Sequence, residues 1–148
     1  MENKLIARAA LQIQKPIEQV FSAIQEGEKM AQYFIENASG NIEAGSTISW
    51  KFPEFEELFS VTGVQVVAPE YLSFDWSGGE EGMLVEIFLV AQADGSTVVR
   101  IKESSMDDDE AGIQQAIGQT EGWANFLACL KANLEYGINL RKGAFLFL

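Results

Sequence analysis

The chain opens with an alternation of apolar and polar positions. Every second residue from 5 to 13 is apolar, and polar residues such as Arg8 and Gln12 stand between them. Successive side chains of a strand point to opposite faces, so a period of two predicts a strand with one apolar face. The first element is therefore predicted to be a β-strand.

Helical spacing follows the first strand. After Pro16, which suits the first turn of a helix, apolar residues recur at steps of three and four through residues 17–24. Gly27 is predicted to end this helix. Residues 28–34 predict a second short helix whose apolar side carries Met30, Tyr33 and Phe34.

The middle of the chain returns to strand patterns. Residues 47–52 and 71–76 alternate between apolar and polar positions, and two more strands are predicted over 83–91 and 97–103. Residues 59–67 are rich in β-branched residues but apolar on both faces. Short loops join all of these segments, which favours an antiparallel meander.

A long helix is predicted after the acidic residues 107–110. Apolar positions then recur at steps of three and four: Ile113, Ile117, Thr120, Trp123, Leu127, Leu130, Leu134 and Ile138. The helix is about 40 Å long and must bury this stripe against the meander. The predicted fold is α+β, with a curved antiparallel sheet of about six to seven strands that grips a long C-terminal helix. Two short helices follow strand 1, and residues 1–148 form a single domain.

Composition and charge narrow the function classes. The 148 residues are 47% hydrophobic and 22% charged, and the formal net charge is -12. Nucleic-acid binding and docking on anionic membranes both need a basic face, so neither is expected. The charge serves solubility or attracts a basic partner protein. With no signal-peptide pattern and no apolar run of about 18 residues, a cytoplasmic location is expected.

Reactive groups are scarce. The chain has no histidine and one cysteine, Cys129, so histidine-activated nucleophiles and disulfides are excluded. Cys129 lies inside the long helix and is expected to pack as a small apolar residue. The acidic residues 107–110 lack the spacing of a calcium loop and suit a helix N-terminus without any ligand. We expect no metal and no cofactor.

Three segments carry a resemblance to a known family. They are residues 13–21, residues 66–76 and, most specifically, residues 121–127 with their continuation to Gly137. The sequence resembles the START-like, helix-grip (SRPBCC) superfamily, and within it the family named after the activator of the heat-shock-protein-90 ATPase. The resemblance covers nearly the whole chain, and residues 145–148 lie outside it.

The resemblance implies a hydrophobic cavity under the long helix but no single activity. Superfamily relatives include lipid and hormone carriers, aromatic polyketide cyclases, tethering modules and co-chaperones, so the fold leaves function open. Two features depart from many relatives. Tyr33 and Phe34 stand where a tryptophan is common, and the absent histidine removes any histidine-dependent chemistry.

The candidate site residues are aromatic, with one acid among them. The aromatic residues line a cavity or fill a solid core, and the spacing leaves both open. Glu103 shares its strand face with Val99 and Ile101, which predicts that it points inward near the cavity lip; the alternative is a strand-end residue in solvent. The candidate ligand-binding residues are Tyr33, Phe34, Trp50, Phe52, Trp76, Glu103, Trp123, Phe126, Leu127 and Leu130.

Three functions remain open at the level of sequence. The first is a non-catalytic module that binds a small apolar or lipid-like ligand. The second is a chaperone-associated interaction protein, as the family name suggests. The third is a cyclase- or hydrolase-like enzyme in which Glu103, the one weak catalytic candidate, works with Tyr33 or a bound water. Residues 145–148 are expected to cover the helix end or to pack on a protein partner such as a second copy.

Overall fold

The computed structural model describes residues 4–77 and 83–148. In chain order the elements are β1 (Lys4–Ile13), α1 (Ile17–Gln25), α2 (Gly27–Met30), β2 (Asn37–Ala38), β3 (Thr47–Lys51), β4 (Leu58–Val67), β5 (Tyr71–Asp75), β6 (Leu84–Ala91), β7 (Thr97–Asp107) and α3 (Glu110–Tyr136). One antiparallel sheet of seven strands contains all the β elements. The predicted α+β fold, in which a sheet grips a long helix, is confirmed.

The sheet is a meander that returns to its first strand. Its order is β1-β7-β6-β5-β4-β3-β2, so the first and last strands lie side by side. The long helix leaves the sheet from β7, and its closest approach is to β1 and β7. Lys131 donates to the carbonyl oxygen of Gln12 at 2.7 Å, and the Glu135 carboxylate accepts from the Gln14 amide at 3.0 Å. These contacts fix the end of α3 on β1.

The core lies between the concave face of the sheet and the second half of α3. Residues 5–13 alternate as predicted, with Ala7 and Ile13 fully buried. From α3 the large buried side chains are Trp123, Phe126, Leu127 and Leu130. Val20, Phe21 and Ile24 of α1 complete the core at one end of the sheet.

The prediction that Gly27 ends the first helix is wrong. Gly27 is instead the first residue of the second helix. A Cβ at this position would lie 2.4 Å from the carbonyl oxygen of Gly40, and the Gly27 amide donates to Asn41 Oδ1 at 3.0 Å. Glycine is needed because two backbone segments meet here. α2 is also shorter than predicted, and turns carry the chain on through Phe34.

The predicted apolar stripe of α3 is buried over only part of its length. Ile113 and Ile117 are 44% and 57% exposed. The large buried side chains of the helix begin at Trp123, and the earlier apolar positions stay in solvent. The helix ends at Gly137, in the left-handed conformation (φ 67°), so Ile138 lies beyond it.

The first turn of α3 folds tightly onto the end of β7. Asp109 is the N-cap, and its side chain accepts from the Gly112 amide at 2.7 Å. A Cβ on Gly112 would lie 1.7 Å from the carbonyl oxygen of Asp107. Asp109 thus satisfies backbone donors of the helix start.

Within residues 4–77 and 83–148, no helix is long and apolar enough to cross a membrane. Over the same residues, no group of three or more Cys, Asp or Glu side chains is placed to hold a metal ion.

We predict that Gly112→Ala lowers the free energy of unfolding by about 2 kcal/mol or more, because the methyl group collides with backbone that cannot move aside. Gly118→Ala on the same helix is the control. Its Cβ would meet nothing within 4 Å, and alanine improves helix propensity by up to ~1 kcal/mol. Urea unfolding measures both, and equal changes would contradict the packing described.

Candidate functional site

Aromatic side chains fill the part of the concave face that α3 leaves uncovered. Trp50 and Phe74 lie at the base, almost fully buried, with ring centroids 5.3 Å apart. Beside them, the ring centroids of Phe52 and Phe59 lie 5.3 Å apart. The ring centroids of Trp76 and of Trp123 on α3 lie 5.5 Å apart. Most of these contacts are edge-to-face, the arrangement that the ring quadrupoles favour.

An open pocket of about 290 Å³ lies above this base. We call it the aromatic pocket. Phe52, Phe59 and Trp76 form its sheet wall, α3 forms a second wall, and the segment after α3 forms a third. Phe34 closes one end. The pocket thus combines aromatic walls with an opening to solvent.

The helix wall has glycine, and so no side chain, at two positions. Gly118 and Gly122 are one turn apart on α3, and both line the aromatic pocket. A Cβ at either position would meet nothing within 4 Å, so no neighbouring atom requires glycine there. Glycine inside a helix costs about 1 kcal/mol relative to alanine. Their physical effect is to leave room between helix and sheet.

A buried carboxylate lies behind the helix wall. Glu103 is fully buried and points inward with Val99 and Ile101, as their shared spacing predicts. Its oxygens accept from Trp123 Nε1 at 2.7 Å, from Trp76 Nε1 at 3.1 Å and from Gln119 Nε2 at 2.9 Å. The alternative of a solvent-exposed strand end is wrong, because β7 continues to Asp107.

These hydrogen bonds give Glu103 a positioning role. The three donors all line the aromatic pocket, whereas Glu103 itself does not. A buried charge is tolerated when several donors solvate it in this way. Glu103 therefore joins the sheet to α3 and orients both indoles.

The third wall is held by Arg141. Its Nη2 lies 2.6 Å from Glu54 Oε1, and its Nε lies 3.4 Å from Glu54 Oε2. The guanidinium carbon is 4.8 to 4.9 Å from the ring centroids of Phe34, Phe52 and Phe145. Both charged side chains are about nine-tenths buried. A paired, stacked guanidinium of this kind makes a strong local attachment.

A second depression of about 500 Å³ adjoins the aromatic pocket and shares Arg141 with it. Glu36, Asn139 and Lys142 are among its lining residues. Two aromatic rings, Phe34 and Phe145, line this depression, against eight in the aromatic pocket, so the aromatic pocket is the better candidate for a flat organic ligand.

Comparison with known proteins places the chain in a family. The family described as "Activator of Hsp90 ATPase homolog 1-like protein" matches residues 14–135. The chain belongs to this family. None of the curated proteins matches the sequence.

Solved structures share the fold. Protein SSP2350 from Staphylococcus saprophyticus is 28% identical over 93% of this chain and 96% of its own, with a TM-score of 0.80. The Aha1 dimer from Colwellia psychrerythraea is 19% identical over 90% of this chain and 98% of its own, with a TM-score of 0.77. DynU16, from the dynemicin biosynthetic locus, is 22% identical, with a TM-score of 0.77. Here the match covers 90% of this chain but only 48% of DynU16. The last two show the fold alone.

The family match stops before the third wall of the pocket. It ends at residue 135, so Arg141 and residues 143–148 lie outside it. The sheet wall and the helix wall lie within the matched residues, and the C-terminal wall lies outside them.

The predicted ligand-binding residues divide into two groups. Phe34, Phe52, Trp76 and Trp123 line the aromatic pocket. The others, apart from Glu103, pack in the closed core with at most 1% exposure: Tyr33, Trp50, Phe126, Leu127 and Leu130. Ligand contact by any of them stays a prediction.

Sequence reasoning missed several pocket residues. Phe55 fell in an acidic stretch predicted as a turn, Phe59 fell in a segment whose inner face could not be assigned, and Arg141 has no local pattern that marks it. Gly118 and Gly122 did leave a signal, because two glycines four residues apart weaken a helix without ending it.

The buried titratable groups offer little chemistry near neutral pH. Burial raises the pKa of the Cys129 thiol, and it raises the pKa of the Tyr33 phenol well above its ordinary value. The Tyr33 hydroxyl donates to the carbonyl oxygen of Ala23 at 2.8 Å. Both groups therefore stay protonated at neutral pH, and neither of them lines the aromatic pocket.

We predict that Glu103→Gln lowers the free energy of unfolding by about 2 kcal/mol, because a single amide oxygen cannot accept from three donors. The midpoint of thermal unfolding should fall by about 4–8 °C for a chain of this size. Glu57→Gln, at an exposed loop position, is the charge-matched control. If the two variants had the same midpoint of thermal unfolding, Glu103 would not join the sheet to the helix.

Proposed function

We propose that this chain is a non-catalytic binding module that holds a small apolar ligand in the aromatic pocket. The observation that supports this proposal most directly is that Phe52, Phe59 and Trp76 face open space opposite two helix glycines. The volume of about 290 Å³ is near the lower end of the range for ligand pockets, roughly 300–1,000 Å³. The ligand is therefore small.

The charges around the pocket favour a neutral ligand. Arg141 is paired with Glu54, so its charge is not free for an anionic group. Glu121 lines the pocket, and the whole chain carries a net charge of -12. An anionic head group such as a fatty-acid carboxylate would meet repulsion, whereas a flat aromatic molecule would stack on the exposed rings.

Native mass spectrometry of the purified protein tests this function most directly. A co-purified apolar molecule would identify the ligand class. In parallel, a library of neutral aromatic and lipid-like compounds should raise the melting temperature, since a ligand at 100 times its Kd adds about 2.7 kcal/mol of stability. A clean apo mass together with no stabilising compound would contradict the proposal.

We predict that Gly122→Ala changes stability and binding in opposite directions. The methyl group enters open space, so the free protein gains up to ~1 kcal/mol from helix propensity. The same methyl group takes room from the ligand, and the affinity for an aromatic probe should fall by about tenfold or more. Urea unfolding and fluorescence titration measure the two effects.

Thr120→Ala is the matched control for Gly122→Ala. Thr120 is exposed on the same helix and does not line the aromatic pocket. Alanine should again favour the helix but leave the probe affinity unchanged. If Gly122→Ala bound the probe as tightly as the wild type, the ligand would lie elsewhere.

A chaperone-associated role is the second candidate. The family description refers to an activator of the Hsp90 ATPase, and exposed apolar side chains after α3, such as Leu146 and Phe147, could contact a partner. A pull-down from a cell lysate that enriched a chaperone would favour this function, and one that recovered none would remove it.

An enzyme that uses Glu103 as acid or base is not favoured. Its carboxylate is fully buried and engaged by three donors, so a substrate would have to displace Trp76, Trp123 or Gln119 to reach it. Proton transfer requires a group within hydrogen-bonding reach of the substrate.

A further inference from the structure

The segment after α3 crosses the mouth of the aromatic pocket. Gly137 turns the chain out of the helix, Arg141 attaches it to Glu54, and Gly143 turns it again with φ at 76°. We call residues 143–148 the flap. Phe145, Phe147 and Leu148 of the flap line the aromatic pocket, so the flap is one of its walls.

The flap is firmly attached at one end only. Arg141, two residues before it, has its charge paired with Glu54 and its guanidinium stacked on Phe34 and Phe52. Phe145 stacks on the same guanidinium at 4.9 Å. Arg141 is therefore the fixed point of the segment, and the stacking of Phe145 on it is a contact that movement about Gly143 must break.

The remainder of the flap is held weakly. The backbone amides of Ala144 and Leu148 donate to the carbonyl oxygens of Arg141 and Phe145, respectively. Within the described part of the chain, both hydrogen bonds are internal to the segment after α3. Leu146, Phe147 and Leu148 are 83%, 80% and 65% exposed. A segment with few buried contacts and no cross-links to the sheet opens at low free-energy cost.

Phe147 contacts the Phe145 ring of the same flap, with ring centroids 6.2 Å apart, but much of its apolar surface stays uncovered. Phe147 contributes to the wall of the pocket and yet remains mostly in water. A ligand in the pocket would give it a surface to cover. Gly143 supplies a pivot, because glycine adopts positive φ without steric cost.

We propose that the flap is a lid on the aromatic pocket, with Arg141 and Glu54 as its anchor and Gly143 as its hinge. It opens to admit a ligand and then closes on it, so that Phe147 and Leu148 become buried against the ligand. The inference rests on the proposed binding function and adds the control of access to that site.

The test uses stopped-flow fluorescence with the neutral probe N-phenyl-1-naphthylamine. Deleting residues 143–148 leaves the anchor in place and should raise both the association and the dissociation rate constants by about fivefold or more, because lid opening no longer limits entry and exit. A fixed wall would change dissociation alone. An association rate equal to that of the wild type would therefore overturn the lid.

A point variant guards against misfolding of the deletion. Phe147→Ser removes a largely exposed ring and should accelerate association in the same direction, while urea unfolding checks that both variants are folded. Leu140→Ser is the control: Leu140 is 47% exposed, precedes the anchor and does not line the aromatic pocket, so the rates should equal those of the wild type.

The outcomes separate the lid from the binding function itself. If the probe binds and its association rate constant is unchanged in both variants, the lid is overturned and the proposed binding function of the pocket stands. Binding by the deletion variant alone overturns the binding function of the intact chain and the lid as well, because a lid must open to admit the ligand. No binding by any folded form overturns both proposals.

Discussion

One helix cannot cover a sheet of seven strands. At about 4.8 Å per strand such a sheet is roughly 30 Å wide, whereas a helix with its side chains is about 10 Å across. Because α3 leaves from β7 and lies over β1 and β7, the far side of the concave face must be covered by other groups. Aromatic side chains, two short helices and the C-terminal segment do so, and the aromatic pocket is the space that they leave.

The polar contacts hold this incomplete cover in place. The Glu103 side chain accepts hydrogen bonds from the indoles of Trp76 and Trp123, which ties α3 to the sheet. Arg141 and Glu54 do the same for the C-terminal segment. The Glu103 carboxylate accepts from three side chains, and the Glu54 carboxylate pairs with Arg141, whose guanidinium also stacks on aromatic rings. The rings around the pocket are therefore positioned by buried hydrogen bonds as well as by packing.

The family match covers the first two walls of the pocket and ends at residue 135, before the third. Protein SSP2350 shares the overall fold. In this chain the C-terminal segment contributes Arg141 and Phe147 to the pocket. What the pocket does depends on these side chains rather than on the fold, since one fold serves many functions.

The sequence by itself determined the fold class and most of the elements, because periods of two and of three to four residues are local properties of strands and helices. It gave Glu103 an inward orientation as one of two alternatives, since Val99 and Ile101 share its spacing, and the structure decided for it. Tertiary structure alone decided that Gly27 begins a helix, that Ile113 and Ile117 stay in solvent, and which aromatic rings face the pocket. Each of these depends on backbone approach or on the angle at which α3 leaves the sheet. The attachment of Arg141 to Glu54 joins residues 87 positions apart, and no local pattern encodes a contact of that range.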